Sequence, residues 1–211
     1  MTEALKLAAK DFYANSWRLV PLNALLGAVL VAAGVVAYAV HAGVVLFALA
    51  GPFVGALAHA AVTLVRTGNL TLADGLAGLR AHWRRGLVLG ACGTGFALLG
   101  VVAIRFYARA DSFATWPLAF TTLYLVVLLG VFQVLVWTLA VAEPERTLGG
   151  AARAAAELVA RRPGATAALG VALLLVNLAG IAAAVMPFLT LTVAYSFVAV
   201  AHFALPREEL D

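Results

Sequence analysis

The sequence predicts an all-α fold, a polytopic membrane bundle of helices, on three observations. The 211-residue chain is 64% hydrophobic and only 11% charged, whereas soluble domains carry roughly 25% charged residues. Its mean hydropathy is +1.03. The charges lie in short intervals between apolar runs of about 20 residues, the length that crosses a bilayer as a helix. We therefore expect one membrane domain, residues 1–211, without a separate soluble domain.

Five apolar runs predict six transmembrane helices, because the last run is divided in two. The last apolar stretch, residues 165–205, is too long for one span, and Met186-Pro187 lies near its middle. Proline has no N–H to donate and disfavours helix at the residue before it, so we expect two helices there. An N-terminal interfacial segment, residues 1–18, precedes the spans. The predicted spans are residues 19–40, 44–65, 86–104, 116–142, 165–185 and 188–205.

Lysine and arginine define the predicted orientation. With the N terminus in the cytoplasm, only Arg105 and Arg109 lie outside, which agrees with the positive-inside rule for short loops. Both termini are then cytoplasmic. This asymmetry accounts for the net charge of +4, so we expect no nucleic-acid partner. The basic residues predicted inside are Lys6, Lys10, Arg18, Arg66, Arg80, Arg84, Arg85, Arg146, Arg153, Arg161, Arg162 and Arg207.

Two cytoplasmic intervals, residues 71–85 and 147–162, predict amphipathic interfacial helices. Thr71 and Asp74 form a capping box, after which four apolar residues recur at helical spacing. The second interval follows the first at an offset of 76 residues, which indicates an internal repeat. Each helix is expected to lie against anionic lipid headgroups or to dock a cytoplasmic partner, and both options stay open. The candidate surface comprises Arg80, Trp83, Arg84, Arg85, Arg161 and Arg162.

Small residues in the second span predict close packing between helices. Gly51-Pro52 is expected to kink or interrupt this span. Gly51 and Gly55 have the spacing at which small residues let two helix backbones approach each other. The sequence leaves the oligomeric state open, a homo-oligomer included.

Polar residues at membrane depth are the candidate site residues. Each needs a partner in lipid, either a hydrogen bond between helices or the water of a solute cavity. No catalytic residues are expected, because no carboxylate pair lies at membrane depth and no HExxH, GxSxG or Walker sequence occurs. The four histidines are scattered and there is one cysteine, so we expect no metal site and no cofactor. The candidates are Asn23, His59, Gln133, Asn177 and Tyr195.

Several segments carry a family resemblance. The segment from Asp11 to Asn23, DFYANSWRLVPLN, resembles the opening of the YesL-like family of bacterial integral membrane proteins. The resemblance implies a multi-pass protein of the bacterial plasma membrane, without an established activity and associated with carbohydrate uptake. Further similar segments are GPFVGAL from Gly51, LVRTGNLTLADGLAGLRAHWRRGLVLG from Leu64, and Ala160-Arg161-Arg162-Pro163.

Two functional hypotheses follow. The first is a non-enzymatic accessory component whose partners are the lipid bilayer and, as the resemblance implies, components of a carbohydrate ABC importer. The alternative is a passive or facilitated small-solute permease. A water-filled cavity between His59, Gln133 and Asn177 would favour the permease, whereas a packed bundle with a basic cytoplasmic face would favour the accessory component.

Overall fold

The computed structural model describes residues 2–110, 113, 115–183 and 185–205. Arg207 and the C terminus, which the sequence predicts to be cytoplasmic, lie outside the described residues. All regular structure in the described part of the chain is helical. The elements are α1 (Thr2–Ala14), α2 (Ser16–Ala39), a 3₁₀ segment (His41–Ala50), α3 (Gly51–Thr67), α4 (Leu72–Arg109), α5 (Thr115–Ala142), α6 (Leu148–Arg161), α7 (Pro163–Ala182), a π segment (Phe188–Thr192) and α8 (Val193–Ala204).

Five helical stretches in the described residues are long and apolar enough to cross a membrane. They are α2, the 3₁₀ segment together with α3, α4, α5 and α7. The π segment and α8 form a sixth, shorter apolar helix over Phe188–Ala204. The chain is therefore a multi-pass membrane protein, and its all-helical class agrees with the sequence prediction.

The last apolar run is divided where proline predicts. Helix α7 ends at Ala182, and the next helical residues follow Val185, which has a left-handed φ of 68°. The helix that begins after Pro187 opens as a π turn before it continues as α8. Such a turn leaves backbone carbonyls outside the regular α-helical ladder.

Helix α4 corrects one predicted boundary. The sequence predicts a separate interfacial helix over residues 71–85, but the structure continues it into the third apolar run as one helix of 38 residues. At about 1.5 Å per residue this helix is about 57 Å long, more than the thickness of a bilayer core. In the second interval, α6 does end before Pro163. At the offset of 76, Leu87 stands where Pro163 stands, and leucine lets the helix continue where proline interrupts it.

The starts of α4 and α6 confirm the predicted caps. Thr71 and Asp74 exchange side-chain and backbone hydrogen bonds in a capping box, and the Thr147 hydroxyl accepts from the Gly150 N–H. The helices that follow begin at Leu72 and Leu148. The first residues of α4 and α6 are therefore 76 residues apart, the same offset that relates the two sequence intervals.

Helix α1, which lies within the predicted interfacial segment of residues 1–18, packs against α8. The Tyr195 hydroxyl donates to the Leu5 carbonyl at 3.3 Å, and its ring meets Phe12 edge-on. Further along both helices, His202 and Asp11 are 2.8 Å apart. The two helices thus run in parallel. Helix α8, buried along most of its length, forms part of the core.

Candidate functional site

Helices α3 and α4 form a hairpin whose backbones touch through glycine. Gly68 ends α3 in a left-handed conformation with a φ of 70°, and α4 begins four residues later. A Cβ built at Gly86 would lie 2.7 Å from the Pro52 Cα, and one at Gly90 would lie 2.6 Å from the Ala48 carbonyl oxygen. The predicted small-residue contact at Gly51 is therefore real, and its partners are the glycines of α4.

Pro52 acts at this contact by changing the helix type. The helical turns before it are 3₁₀ and the turns after it are α, while the rod remains continuous from His41 to Thr67. Proline at the first turn of an α-helix leaves no donor unsatisfied, so α3 begins there without loss. Where the sequence predicts a kink or an interruption, the span changes from 3₁₀ to α-helical hydrogen bonding.

The hairpin brings together two histidines that the sequence analysis treats as scattered. The ring centres of His59 on α3 and His82 on α4 are 5.3 Å apart, with the planes tilted by 45°. The His59 ring lies against Gly78 of the opposite helix, and the Cβ of His82 lies opposite Gly55, where an added Cβ would come within 3.6 Å of it. His82 is 5% exposed and His59 is half-buried. A small residue opposite each histidine is the sequence signal that was missed.

Asn177 is the centre of a hydrogen-bonded cluster between α7 and α8. Its amide donates to the Ser196 hydroxyl at 2.8 Å, and its carbonyl oxygen accepts from the Thr192 hydroxyl at 3.0 Å. The Ser196 hydroxyl in turn donates to the Thr192 carbonyl. The cluster therefore joins α7 to the turn at which the π segment becomes α8.

Asn23 connects α2 to the same π segment. Its amide group donates to the Phe188 carbonyl at 3.3 Å, while its own side-chain oxygen is buried without a hydrogen-bond partner in the described part of the chain. Nearby, a Cβ at Gly27 would lie 2.8 Å from the Leu189 carbonyl oxygen. The backbones of α2 and the π segment are thus in close contact.

The five predicted polar residues serve different helix contacts. Gln133 donates to the Leu89 carbonyl at 3.0 Å and joins α5 to α4. Tyr195 joins α8 to α1, Asn177 joins α7 to α8, and Asn23 joins α2 to the π segment. The groove that contains Gln133 includes neither His59 nor Asn177 among its lining residues. Hydrogen bonding between helices, one of the two predicted fates, is what the structure shows for these four hydrogen-bonded residues.

An apolar groove of about 450 Å³ lies between the 3₁₀ segment, α3, α4 and α5. Phe47, Val54 and Trp137 are among its walls, and Thr94 and Gln133 supply its polar groups. The groove has no charged lining residue. Its lining is therefore better suited to contact an apolar acyl chain than a hydrated solute.

The arginines predicted as a partner surface divide into two groups. Arg85 donates to the carbonyls of Ala140 and Pro144, so it satisfies the C-terminal end of α5, where cations are favourable. These two acceptors are distant in sequence, so Arg85 has contacts within the bundle besides its predicted place on the candidate surface. Arg66 adds a bond to the Ala142 carbonyl at 3.0 Å.

The remaining arginines are exposed at the same end of the bundle. Arg84 lies over the Trp83 ring at 5.4 Å, and Arg161 lies 4.0 Å from Glu157. Both pairings are of the exposed kind that contributes little to stability. We call this exposed group the basic end, and it consists of Arg80, Arg84, Arg153, Arg161 and Arg162.

These features define a multi-pass, all-helical membrane protein with intramembrane polar contacts and one basic end. No family model, no curated protein and no solved structure matches the chain. The YesL-like resemblance therefore stays a prediction.

Proposed function

We propose that the protein is a non-enzymatic accessory component of the bacterial plasma membrane that binds a partner through its basic end. The observation that carries this proposal is the contrast between two sets of polar groups. Four of the five predicted polar residues make hydrogen bonds between helices, whereas the five arginines of the basic end are exposed. Exposed charge is what remains for recognition.

The proposed topology has six spans with both termini in the cytoplasm. Phe188–Ala204 has 17 residues, about 25 Å of helix, and its polar groups are satisfied by neighbouring helices. The basic end is then cytoplasmic, in agreement with the positive-inside rule. There its arginines face both anionic headgroups, at about 1 kcal/mol per charge, and cytoplasmic proteins.

The partner that we propose is a carbohydrate ABC importer. This step rests on the YesL-like resemblance and on the position of the basic end, since the importer subunits next to the membrane are reachable from that side. The permease alternative would need polar groups that line a shared path, and the groove beside Gln133 is apolar on nearly all its lining. The contacts of the polar residues thus favour the accessory role.

The test compares arginines of the basic end with arginines at the opposite end of α4. Replacing Arg80, Arg84 and Arg162 with glutamine should lower sugar uptake and the co-purification of importer subunits from native membranes. The control replaces Arg105 and Arg109, at the other end of α4, and should leave both unchanged. Deletion of the whole chain without an effect on sugar uptake would contradict the carbohydrate proposal. Equal losses in the two variants would contradict the role of the basic end.

A further inference from the structure

We infer that His59 and His82 form a binding site for a divalent transition-metal ion such as Zn²⁺, Ni²⁺ or Cu²⁺, which bridges α3 and α4. The inference does not depend on the proposed function, because it uses the interior of the hairpin and none of the residues of the basic end. Imidazole is a ligand that these ions prefer. A metal held by two helices would fix their relative position.

The distance between the two rings fits one shared ion. An imidazole nitrogen lies about 2.0–2.1 Å from a bound zinc ion and about 1.1 Å from the centre of its ring, so two imidazoles on one tetrahedral ion have centres roughly 5 Å apart. The observed separation is 5.3 Å. Two rings on neighbouring helices therefore already have the spacing that coordination requires.

The ring nitrogens have no competing hydrogen bond among the described residues. Neither His59 nor His82 has a nitrogen among the fully buried side-chain atoms that lack a partner, so these nitrogens keep accessible surface at which a metal ion can bind. Gly78 leaves room for the His59 ring, and Gly55 lies opposite the Cβ of His82, with the Trp137 ring beside it.

One charged group of each sign acts on the pair. The Asp74 carboxylate, in the first turn of α4, is close enough to interact electrostatically with His59, where it favours a cation. The Arg85 guanidinium acts on His82 with the opposite sign. His59 lies eight residues from the end of α3, about 12 Å from the polar loop that follows.

The protein supplies two ligands and water supplies the rest. No group of three or more histidine, cysteine, aspartate or glutamate side chains that could hold a metal occurs among the described residues. A site with two imidazoles and water ligands binds more weakly than a closed structural site and keeps positions open for exchange. We therefore expect reversible binding.

The experiment uses the full chain without a polyhistidine tag, purified in detergent and stripped with a chelator. Calorimetric titration with Zn²⁺, Ni²⁺ and Cu²⁺ should show one ion per chain for at least one metal. His59→Asn and His82→Asn should each weaken that binding at least tenfold. His41→Asn, an exposed histidine of the same helical rod, should bind as the unchanged protein does. The unchanged protein should also melt at a higher temperature with metal than without it.

Several outcomes would overturn the inference. One is the absence of binding to the unchanged protein, a result that needs no variant to fold. Another is undiminished binding in either asparagine variant, which would place the ion elsewhere, for example at Asp11 and His202. To separate ligand loss from misfolding, His82→Cys in a background without the native cysteine should give a Co²⁺ complex with thiolate charge-transfer absorption. A folded variant that lacks this absorption would exclude residue 82 as a ligand.

Discussion

Replacing Gly86 with alanine tests whether the backbones of α3 and α4 must approach each other as closely as the structure shows. The new methyl group would lie 2.7 Å from the Cα and 2.8 Å from the nitrogen of Pro52. Carbon atoms in favourable contact are about 3.5–4.0 Å apart, so the helices must separate by about 1 Å. Both neighbouring atoms are backbone, and neither moves without moving a helix. The strain therefore falls on the whole crossing.

The magnitude follows from two opposing effects. Overpacking of this kind costs about 1–3 kcal/mol, whereas alanine is favoured over glycine in a helix by about 1 kcal/mol. We expect Gly86→Ala to lower the free energy of unfolding by up to about 2 kcal/mol. The matched control is Gly95→Ala on the same helix, where no atom lies within 4 Å of the added methyl group. There only the helix preference remains, so stability should stay the same or rise.

Thermal unfolding in mild detergent, followed by tryptophan fluorescence, measures the difference. The gap between the two variants should equal the overpacking cost of about 1–3 kcal/mol, which corresponds to roughly 2–12 °C in Tm for a chain of this size. A Gly86→Ala variant that melts at or above the temperature of Gly95→Ala would refute the tight crossing.

Three further predictions concern side-chain bonds and topology. Arg85→Gln should lower the free energy of unfolding by about 1–3 kcal/mol, because two carbonyls at the end of α5 lose a charged donor, whereas Arg84→Gln should change it little in the same denaturant titration. Asn177→Leu should cost about 1–3 kcal/mol, since two hydroxyls between α7 and α8 lose their partner, and thermal unfolding would show no shift if that cluster were dispensable. The orientation is tested with single cysteines in a background without the native cysteine. A cysteine at exposed Phe113 should react with impermeant reagents on intact cells, whereas one at exposed Ala156 should react only after permeabilisation. The reverse pattern would overturn the orientation.

The sequence predicts most of the fold because hydropathy and capping are local properties. The apolar runs mark the helices, and Thr71 and Thr147 mark two helix starts to the residue. The predicted break at Pro187 is also present. What local signals do not contain is whether a short amphipathic segment merges with the span that follows. Residues 86–109 contain no proline, and this is the sequence sign that the helix continues. It outweighs the change from polar to apolar composition at residue 86.

The candidate site is less predictable because its contacts join distant segments. Arg85 reads as a surface cation until the end of α5 is placed beside it. For Asn177 the sequence leaves a hydrogen bond between helices and a cavity lining both open, and the structure shows that its amide donates a hydrogen bond to the Ser196 hydroxyl. In both cases the partner lies on another helix, at a separation that composition and periodicity do not encode.

Glycine spacing in the hairpin connects packing with the proposed metal site. Gly78 lies opposite the His59 side chain, and Gly55 lies opposite the Cβ of His82. The same close approach of α3 and α4 therefore also sets the distance between the two rings. Larger residues at these glycines would push the histidines apart or rotate them. A pair of histidines placed so that each faces a glycine of the other helix is therefore a pattern that sequence reading can search for, once two neighbouring spans are known to form a hairpin.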